Sequence, residues 1–425
     1  MRVLVSLLFC LLAACATAPA PAAGLNDVAE QYVRLSLEMG AHEEGYVDAY
    51  YGPPEWKTEA EAHPRSLPDL QQAASDLRNQ AAAIGAHSQD PAVVRRAHAL
   101  AGYLASAQFR IRMMQGERAS FLDEAEGLFG LRPALHPLES YDGALARIDA
   151  LTPGDGPLAD RVDAFKARYA IPSDRLQAVM QAAIDECRAR TRANIDLPAD
   201  ERFDMEIVTG QSWGAYNWYQ GGNRSLIQIN AGLPVPIDAA LNYGCHEGYP
   251  GHHVQGIYAE RLYRERGWAE YSVAPLYSPQ GPLNEGGGNY GLDLAFPGDE
   301  RARFERAVLY PLAGLDPASA PAYEALLEEQ RHLAGAQLTI AEMLLDGEID
   351  RPRAVALLQH YGPMTQARAD RLIAFTEHYR SYVINYQTGQ DVVRAYVERE
   401  AATPQARWRV YEDMIGEPTL AEDLQ

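Results

Sequence analysis

The chain has 425 residues and a formal net charge of −21, from 58 acidic and 37 basic side chains. This acidity argues against nucleic acid as a partner, because nucleic-acid recognition needs a basic surface. Four cysteines in a chain of this length exclude a disulfide framework. Beyond the N-terminal residues, no apolar run reaches the ~18 residues that a membrane span needs.

The N-terminal segment predicts an export signal and a lipid anchor. In MRVLVSLLFCLLAAC, one basic residue, an apolar run and small residues are typical of a secretory signal, and LAAC resembles the bacterial lipoprotein box. Residues 1–15 are interpreted as a lipoprotein signal ending at the lipidated Cys15, and residues 16–24 as a Pro/Ala tether. No aspartate follows Cys15, which favours an outer-membrane lipoprotein that faces the periplasm, with membrane contact only through the lipid. The alternative is ordinary signal cleavage nearby, with loss of Cys15.

Helical periodicity dominates the remaining chain, which has no second low-complexity linker and no internal repeat. Five segments begin with proline, carry apolar residues at three-to-four spacing and, apart from the third, close on glycine: residues 68–85, 91–116, 172–195, 321–347 and 363–389. The strand signals FDMEIVTG and RSLIQINAG flank the glycine- and aromatic-rich QSWGAYNWYQGGN. The predicted fold is therefore mainly α, a large multi-helix body with a small β element just before a histidine-rich helix. We divide it into an N-terminal helical region, 25–200, and a catalytic region, 201–425.

The segment YGCHEGYPGHHVQGIYAERLY contains three of the eleven histidines. An HExxH helix holds zinc with two histidines one turn apart and uses the glutamate as a base, but after His246 and Glu247 the second position is Pro250. Proline cannot donate to the helix and crowds the preceding turn, so the helix must bulge or restart before the later histidines. On an undistorted helix His253 would share a face with His246 and His252 would point away. Because of Pro250, spacing alone leaves the second ligand open.

These residues resemble the "HExxPGHH" proteins of the domain of unknown function 885 family, relatives of the gluzincin zinc metallopeptidases. Gluzincins place the second zinc ligand after a glycine, which implies His246 and His252 as ligands. The resemblance then implies that His253 hydrogen-bonds a ligand or the substrate. Cys245, beside His246, is interpreted as a small buried residue, and a single disulfide from Cys245 to Cys187 is compatible with an exported protein.

Two weaker segments extend the resemblance. NEGGGNYGLDLAF is similar to the family's EGWALY segment, which implies Glu285 as the third zinc ligand and matches Tyr290. Glycines replace the family's tryptophan and alanine at 287 and 288, which we expect to weaken the local helix and reshape the pocket. YVINYQTG is similar to the family's YxxG segment, matching Tyr386 and Gly389. A phenol there can donate to an oxyanion, and the sequence leaves Tyr386 and Tyr382 as alternatives.

The resulting hypothesis is a Zn²⁺-dependent peptidase. His246, His252 and Glu285 hold zinc, and Glu247 takes the proton as water attacks a peptide carbonyl. The peptide substrate is expected to meet His253, Asn230 and Tyr290, with the strand SLIQINAG pairing along its main chain; YNWYQGG is either an aromatic wall of the cleft or a packing corner. The alternatives are a non-catalytic peptide- or metal-binding lipoprotein and a metal-dependent hydrolase of a non-peptide amide or ester.

Overall fold

The computed structural model describes residues 24–211 and 213–425, and its architecture is mainly α as predicted. The predicted signal, Cys15 and all of the tether except Gly24 lie outside the described residues. The helices before the β element are α1 (Leu25–His42), α2 (Pro54–Ala62), α3 (Leu67–His87), α4 (Pro91–Met114), α5 (Phe121–Phe129), α6 (Asp142–Leu151), α7 (Leu158–Ala167) and α8 (Leu176–Arg192). Those after it are α9 (Ile237–Tyr243), α10 (His252–Arg264), α11 (Gly281–Ala295), α12 (Glu300–Phe304), α13 (Tyr310–Ala313), α14 (Ala320–Arg331), α15 (Ala334–Leu345), α16 (Arg351–Tyr361), α17 (Gln366–Tyr379), α18 (Ile384–Glu400) and α19 (Pro404–Gly416). None of the helices in the described part of the chain has the length and apolar character that crossing a membrane requires.

Two predicted helices are each divided in the structure. Residues 321–347 form α14 and α15 instead of one helix. Residues 363–389 form α17, a 3₁₀ turn at Arg380–Val383 and the beginning of α18. Arg380 has a φ of 53°, and a regular α-helix cannot contain a residue with positive φ. Gly389, predicted to end a helix, lies inside α18.

The small β element is a three-stranded sheet with the order β2 (Arg202–Val208), β4 (Arg224–Asn230) and β3 (Ala215–Gly221). β4 pairs with β2 in parallel and with β3 antiparallel. The prediction that SLIQINAG pairs with a peptide is therefore wrong, because both edges of this central strand are already occupied. The connecting segment QSWGAYNWYQGGN supplies β3, an edge strand. Gly222 and Asn223 both have positive φ, 61° and 58°, as a two-residue hairpin turn requires.

A second, two-stranded sheet pairs β1 (Val47–Tyr50) with β5 (Val273–Pro275). It joins the N-terminal helices to the segment that follows α10. The larger hydrophobic core likewise extends from Val28 to Leu424. A smaller core combines residues 138–162 with residues 326–373. Both cores therefore draw on both sides of residue 200, and the predicted division there does not coincide with a boundary in packing.

Candidate metal centre

The helix that carries the histidines is broken as Pro250 predicts. α9 continues into a π-helical turn, Gly244–Gly248, and α10 restarts at His252 after a cis Tyr249–Pro250 bond. Gly251 lies over the end of the π-helical turn, where its N–H donates to the carbonyl of Cys245 at 2.9 Å. A Cβ on Gly251 would overlap the carbonyl oxygen of His246. The Pro-Gly pair thus permits a tight reversal between the two halves of the helix.

Three predicted ligands meet at this break. The Nε2 atom of His246 lies 3.3 Å from Oε2 of Glu285, and the Nε2 atom of His252 lies 3.9 Å from the same oxygen. One potential ligand atom from each of the three side chains lies within 4.8 Å of the other two. His252 faces this cluster because the chain leaves the helix after the π-helical turn, so regular helical spacing from His246 no longer applies.

Two amide side chains orient the imidazoles. Oδ1 of Asn289 lies 3.0 Å from Nδ1 of His246, and Oε1 of Gln255 lies 2.8 Å from Nδ1 of His252. The amide N–H₂ groups of Asn289 and Gln255 donate to backbone carbonyls of α18 and α11, at 3.2 and 3.0 Å. Since a carbonyl only accepts, each amide must turn its oxygen toward the histidine, and each Nδ1 must carry the proton. The Nε2 atoms, which face the carboxylate, are therefore the ring nitrogens left to bind a metal.

The histidines and the carboxylate of this cluster influence one another's ionisation. Burial lowers the pKa of His246, but the Glu285 and Glu247 carboxylates outweigh burial and raise it overall. Burial raises the pKa of Glu285, and the two histidines and Tyr382 outweigh that effect and lower it. The cluster offers two nitrogens and one carboxylate oxygen as donors, and each histidine is held through its other nitrogen. Such donors and such supporting contacts are typical of a catalytic zinc site. The residues present thus fit the predicted metal.

Asn289 and Gln255 were not identified from the sequence. Asn289 follows Glu285 by four residues on α11, and Gln255 follows His252 by three on α10. Helical spacing could have indicated both, because side chains three or four residues apart share a face.

The two candidate tyrosines have different positions. The hydroxyl of Tyr382 donates to Oε1 of Glu285 at 2.9 Å, so this phenol orients the carboxylate that faces the histidines. Tyr386 is 36% exposed, and its ring lies 6.0 Å from that of Tyr382. Buried Glu124 of α5 accepts from the Ser381 N–H and hydroxyl, which fixes the 3₁₀ turn that presents Tyr382. Of the two phenols, Tyr386 remains the one facing solvent.

Glu247 is buried beside the cluster, with 6% of its surface exposed. Burial raises its pKa, although His246 and His252 oppose the shift. The side-chain amide of Asn217, on β3, donates to the backbone carbonyl of Glu247. The edge strand is thus attached directly to the residue predicted to act as the base.

Glycines allow α11 to approach its neighbours closely, and the helix persists despite them. A Cβ on Gly286 would overlap the backbone of Gly389 in α18. A Cβ on Gly288 would lie 2.8 Å from Nδ1 of His246, closer than real Cβ contacts. An alanine at position 288 would not fit with His246 in this position.

Three residues predicted to contact substrate do not face the cluster. His253 is fully buried and binds Ser225 and Glu201 instead, because consecutive side chains of a helix point in different directions. The amide of Asn230 donates to backbone carbonyls of the loop before β3, and its oxygen accepts from Gly232. Tyr290 is 1% exposed and belongs to the larger core. The structure therefore does not bring these three side chains to the cluster.

The N-terminal region is attached to β3 by contacts that the sequence did not indicate. The Tyr216 hydroxyl, on β3, donates to Asp48 of β1 at 3.0 Å. The Tyr51 hydroxyl donates to the backbone carbonyl of Tyr219 at 2.9 Å. Trp218 is 47% exposed on the same strand. Nothing in the spacing of Asp48 or Tyr51 could have identified them, because their partners are 168 residues away.

Cys187 and Cys245 form a disulfide with a Cα–Cα distance of 5.5 Å. It links α8 to the π-helical turn, one residue before His246. Both cysteines are fully buried. The bridge that the sequence left open is therefore present and lies directly behind the ligand cluster.

Comparisons with known proteins found a structure of similar fold but did not assign the chain to a family. No protein-family model and no curated protein sequence matches the chain. The fold is similar to that of a crystal structure described as a candidate lipoprotein from Colwellia psychrerythraea, with 13% identity and a TM-score of 0.50. The match covers 94% of this chain and 74% of that one. At this identity the likeness concerns the fold alone.

Proposed function

We propose that this protein is a zinc-dependent peptidase. The observation that carries the proposal is the orientation of the two histidines, whose Nδ1 atoms are satisfied by Asn289 and Gln255 while their Nε2 atoms converge on Glu285. Three protein ligands with a further position left for water are typical of catalytic zinc sites. Zinc held there would supply Lewis-acid chemistry, polarising a carbonyl and lowering the pKa of a water molecule.

The surrounding residues suit the hydrolysis of an amide. In the proposed reaction Glu247 accepts a proton from the attacking water and passes it to the leaving nitrogen. Tyr386 donates a hydrogen bond to the carbonyl oxygen as negative charge develops there. Tyr382 keeps Glu285 oriented toward the histidines. The position of β3 favours a peptide as the substrate. β3 is an edge strand beside Glu247, and the extended main chain of a peptide can pair with such an edge.

We also propose that the protein is an exported lipoprotein anchored through Cys15. The lipoprotein box in the sequence supports this. A lipid-labelling experiment on Cys15→Ser tests it: labelling should disappear, and unchanged labelling would contradict the anchor.

The substitution that tests the peptidase is Glu247→Gln. It keeps the size of the side chain but removes the base, so turnover of a panel of internally quenched peptides should fall by about 10²–10⁴-fold. Metal analysis should still find about one zinc per chain, because Glu247 is not among the proposed ligands. Glu265→Gln, at an exposed glutamate just after α10, is the control and should change neither quantity.

An active Glu247→Gln variant would contradict the peptidase proposal. Bound zinc with no turnover in the wild type would favour a binding protein. Turnover of esters or modified amides but not of peptides would favour the other hydrolase.

A further inference from the structure

A second buried cluster lies on the opposite side of the helix break from the candidate metal ligands. Its centre is Glu201, whose side chain is fully buried. The carboxylate accepts from Nε of Arg188 and Nε of Arg192, each at 2.8 Å. It also accepts from the Tyr249 hydroxyl and lies 3.1 Å from Nε2 of His253. Every contact of this carboxylate is therefore with a donor, and two of the donors are permanently charged.

The composition of this cluster invites comparison with a hydrolase triad. Oγ of Ser225 lies 2.8 Å from Nδ1 of His253, and Nε2 of the same ring faces Glu201. All three residues are buried, and Ser225 and His253 are completely so. A nucleophile must reach its substrate, and Ser225 cannot. The cluster is therefore suited to holding backbone in place.

The backbone that it holds is the break itself. Tyr249 is the last residue before Pro250, and His253 is the residue directly after His252. Both bind the same carboxylate, so Glu201 connects the two sides of a segment that lacks regular helical hydrogen bonds. Glu201 is in turn anchored to α8 through its two arginines. Movement of this anchor would change the distance between His246 and His252.

We propose that Glu201 is a positioning residue for the candidate metal centre, holding Tyr249 and His253 so that His246 and His252 are separated by the distance that one metal ion requires. This inference rests on the proposed zinc site and assigns a task to His253, which does not face that site. It places a determinant of metal geometry outside the histidine segment, at the start of the β element.

Zinc affinity and the spectrum of a cobalt-substituted site test this without any activity assay. Glu201→Gln removes the charge and places an N–H₂ group among donors, so the zinc dissociation constant, measured by competition with a chelator, should rise by about 10–100-fold, as for other residues that support metal ligands. The visible absorption bands of the Co²⁺-loaded protein should change as well. Circular dichroism establishes that the variant is folded.

Glu270→Gln is the matched control. Glu270 is also a buried carboxylate, 2% exposed, and it binds Arg96 through both oxygens at 2.6 and 2.8 Å. Its loss should lower thermal stability while zinc affinity and the Co²⁺ spectrum remain those of the wild type. If Glu201→Gln does not fold, Tyr249→Phe removes a single hydroxyl from the same cluster and should weaken zinc binding several-fold.

A folded Glu201→Gln or Tyr249→Phe protein with wild-type zinc affinity and Co²⁺ spectrum would overturn the positioning role while leaving the peptidase proposal intact. A wild-type protein that binds no zinc would overturn both.

Discussion

His252 and His253 are consecutive residues, yet each faces a different glutamate. His252 and His246 meet Glu285 at the front of the break, and His253 meets Glu201 at the back. At the back, two arginines balance the carboxylate of Glu201, whose side chain is fully buried. At the front, the described structure pairs Glu285 with no arginine or lysine, only with the histidines and the Tyr382 hydroxyl.

This difference in charge balance separates a structural cluster from a candidate metal centre. A buried carboxylate that carries its own cations needs nothing further. A carboxylate facing the lone pairs of two imidazoles is stable only when a proton or a metal ion lies between them. The same residue types therefore serve different purposes on the two sides of one helix, and the supply of positive charge decides which.

The largest expected effect is on zinc content, when His252 and His253 are replaced by alanine in two separate variants. His252→Ala removes a ligand and should abolish stoichiometric zinc. His253→Ala should retain about one zinc per chain at saturating zinc, but the free energy of unfolding should fall by about 3 kcal/mol, because buried partners lose their hydrogen bonds. Metal analysis measures the zinc content, and denaturant titration measures the free energy of unfolding. A metal-free His253→Ala protein beside a zinc-containing His252→Ala protein would reverse the assignment of front and back.

Removal of the disulfide is expected to affect stability alone, without loss of zinc. The Cys187–Cys245 bridge spans 58 residues, and closing a loop of that length stabilises a protein by about 4 kcal/mol on the chain-entropy model. The Cys187→Ala/Cys245→Ala variant should unfold at a correspondingly lower denaturant concentration and still bind about one zinc. As a control, reductant should destabilise the wild type and leave the variant unchanged. Loss of zinc from the variant would mean that the front of the break depends on its attachment to α8.

The smallest predicted effect is a dependence of stability on pH that belongs to the back cluster. Burial raises the pKa of Glu201, but hydrogen bonds from His253, Tyr249 and the two arginines outweigh it and lower the pKa to about 2. A lowered pKa stabilises the folded state above the unfolded value of about 4.3, and this contribution is lost as the pH falls toward 2. The expected loss is on the order of 3 kcal/mol at most.

Denaturant titrations of wild type and Glu201→Gln between pH 5 and pH 2 test this. The difference in stability between the two proteins should shrink as the pH falls, because protonation removes from the wild type the charge that the variant already lacks. A constant difference across this range would show that the charge of Glu201 contributes little to the back cluster.

Much of the fold follows from local patterns. Proline at the start of a segment and apolar residues at helical spacing located the longest helices, α3 and α4, and also α8, α14, α15, α17 and part of α18. Arg380 divides one predicted helix, and its side chain binds Glu124, 256 residues away, a contact that local spacing cannot show. The β element was predicted in the correct place. Its strand order was not, because the pairing of β4 on both edges depends on contacts beyond the alternation of side chains within one strand.

The candidate site, like the fold, could be predicted from the sequence only in part. The sequence by itself determined that the helix must break between His246 and His252, because proline lacks the N–H and crowds the preceding turn. Only the tertiary structure decided that His252 faces Glu285 while His253 faces Glu201, since side-chain direction across an irregular segment does not follow from spacing. It also decided which residues support each histidine: Asn289 and Glu201 lie 43 and 52 residues from the rings they hold. Contacts over such separations are set by how α8, α11 and the sheet pack around the break, and no local pattern encodes that packing.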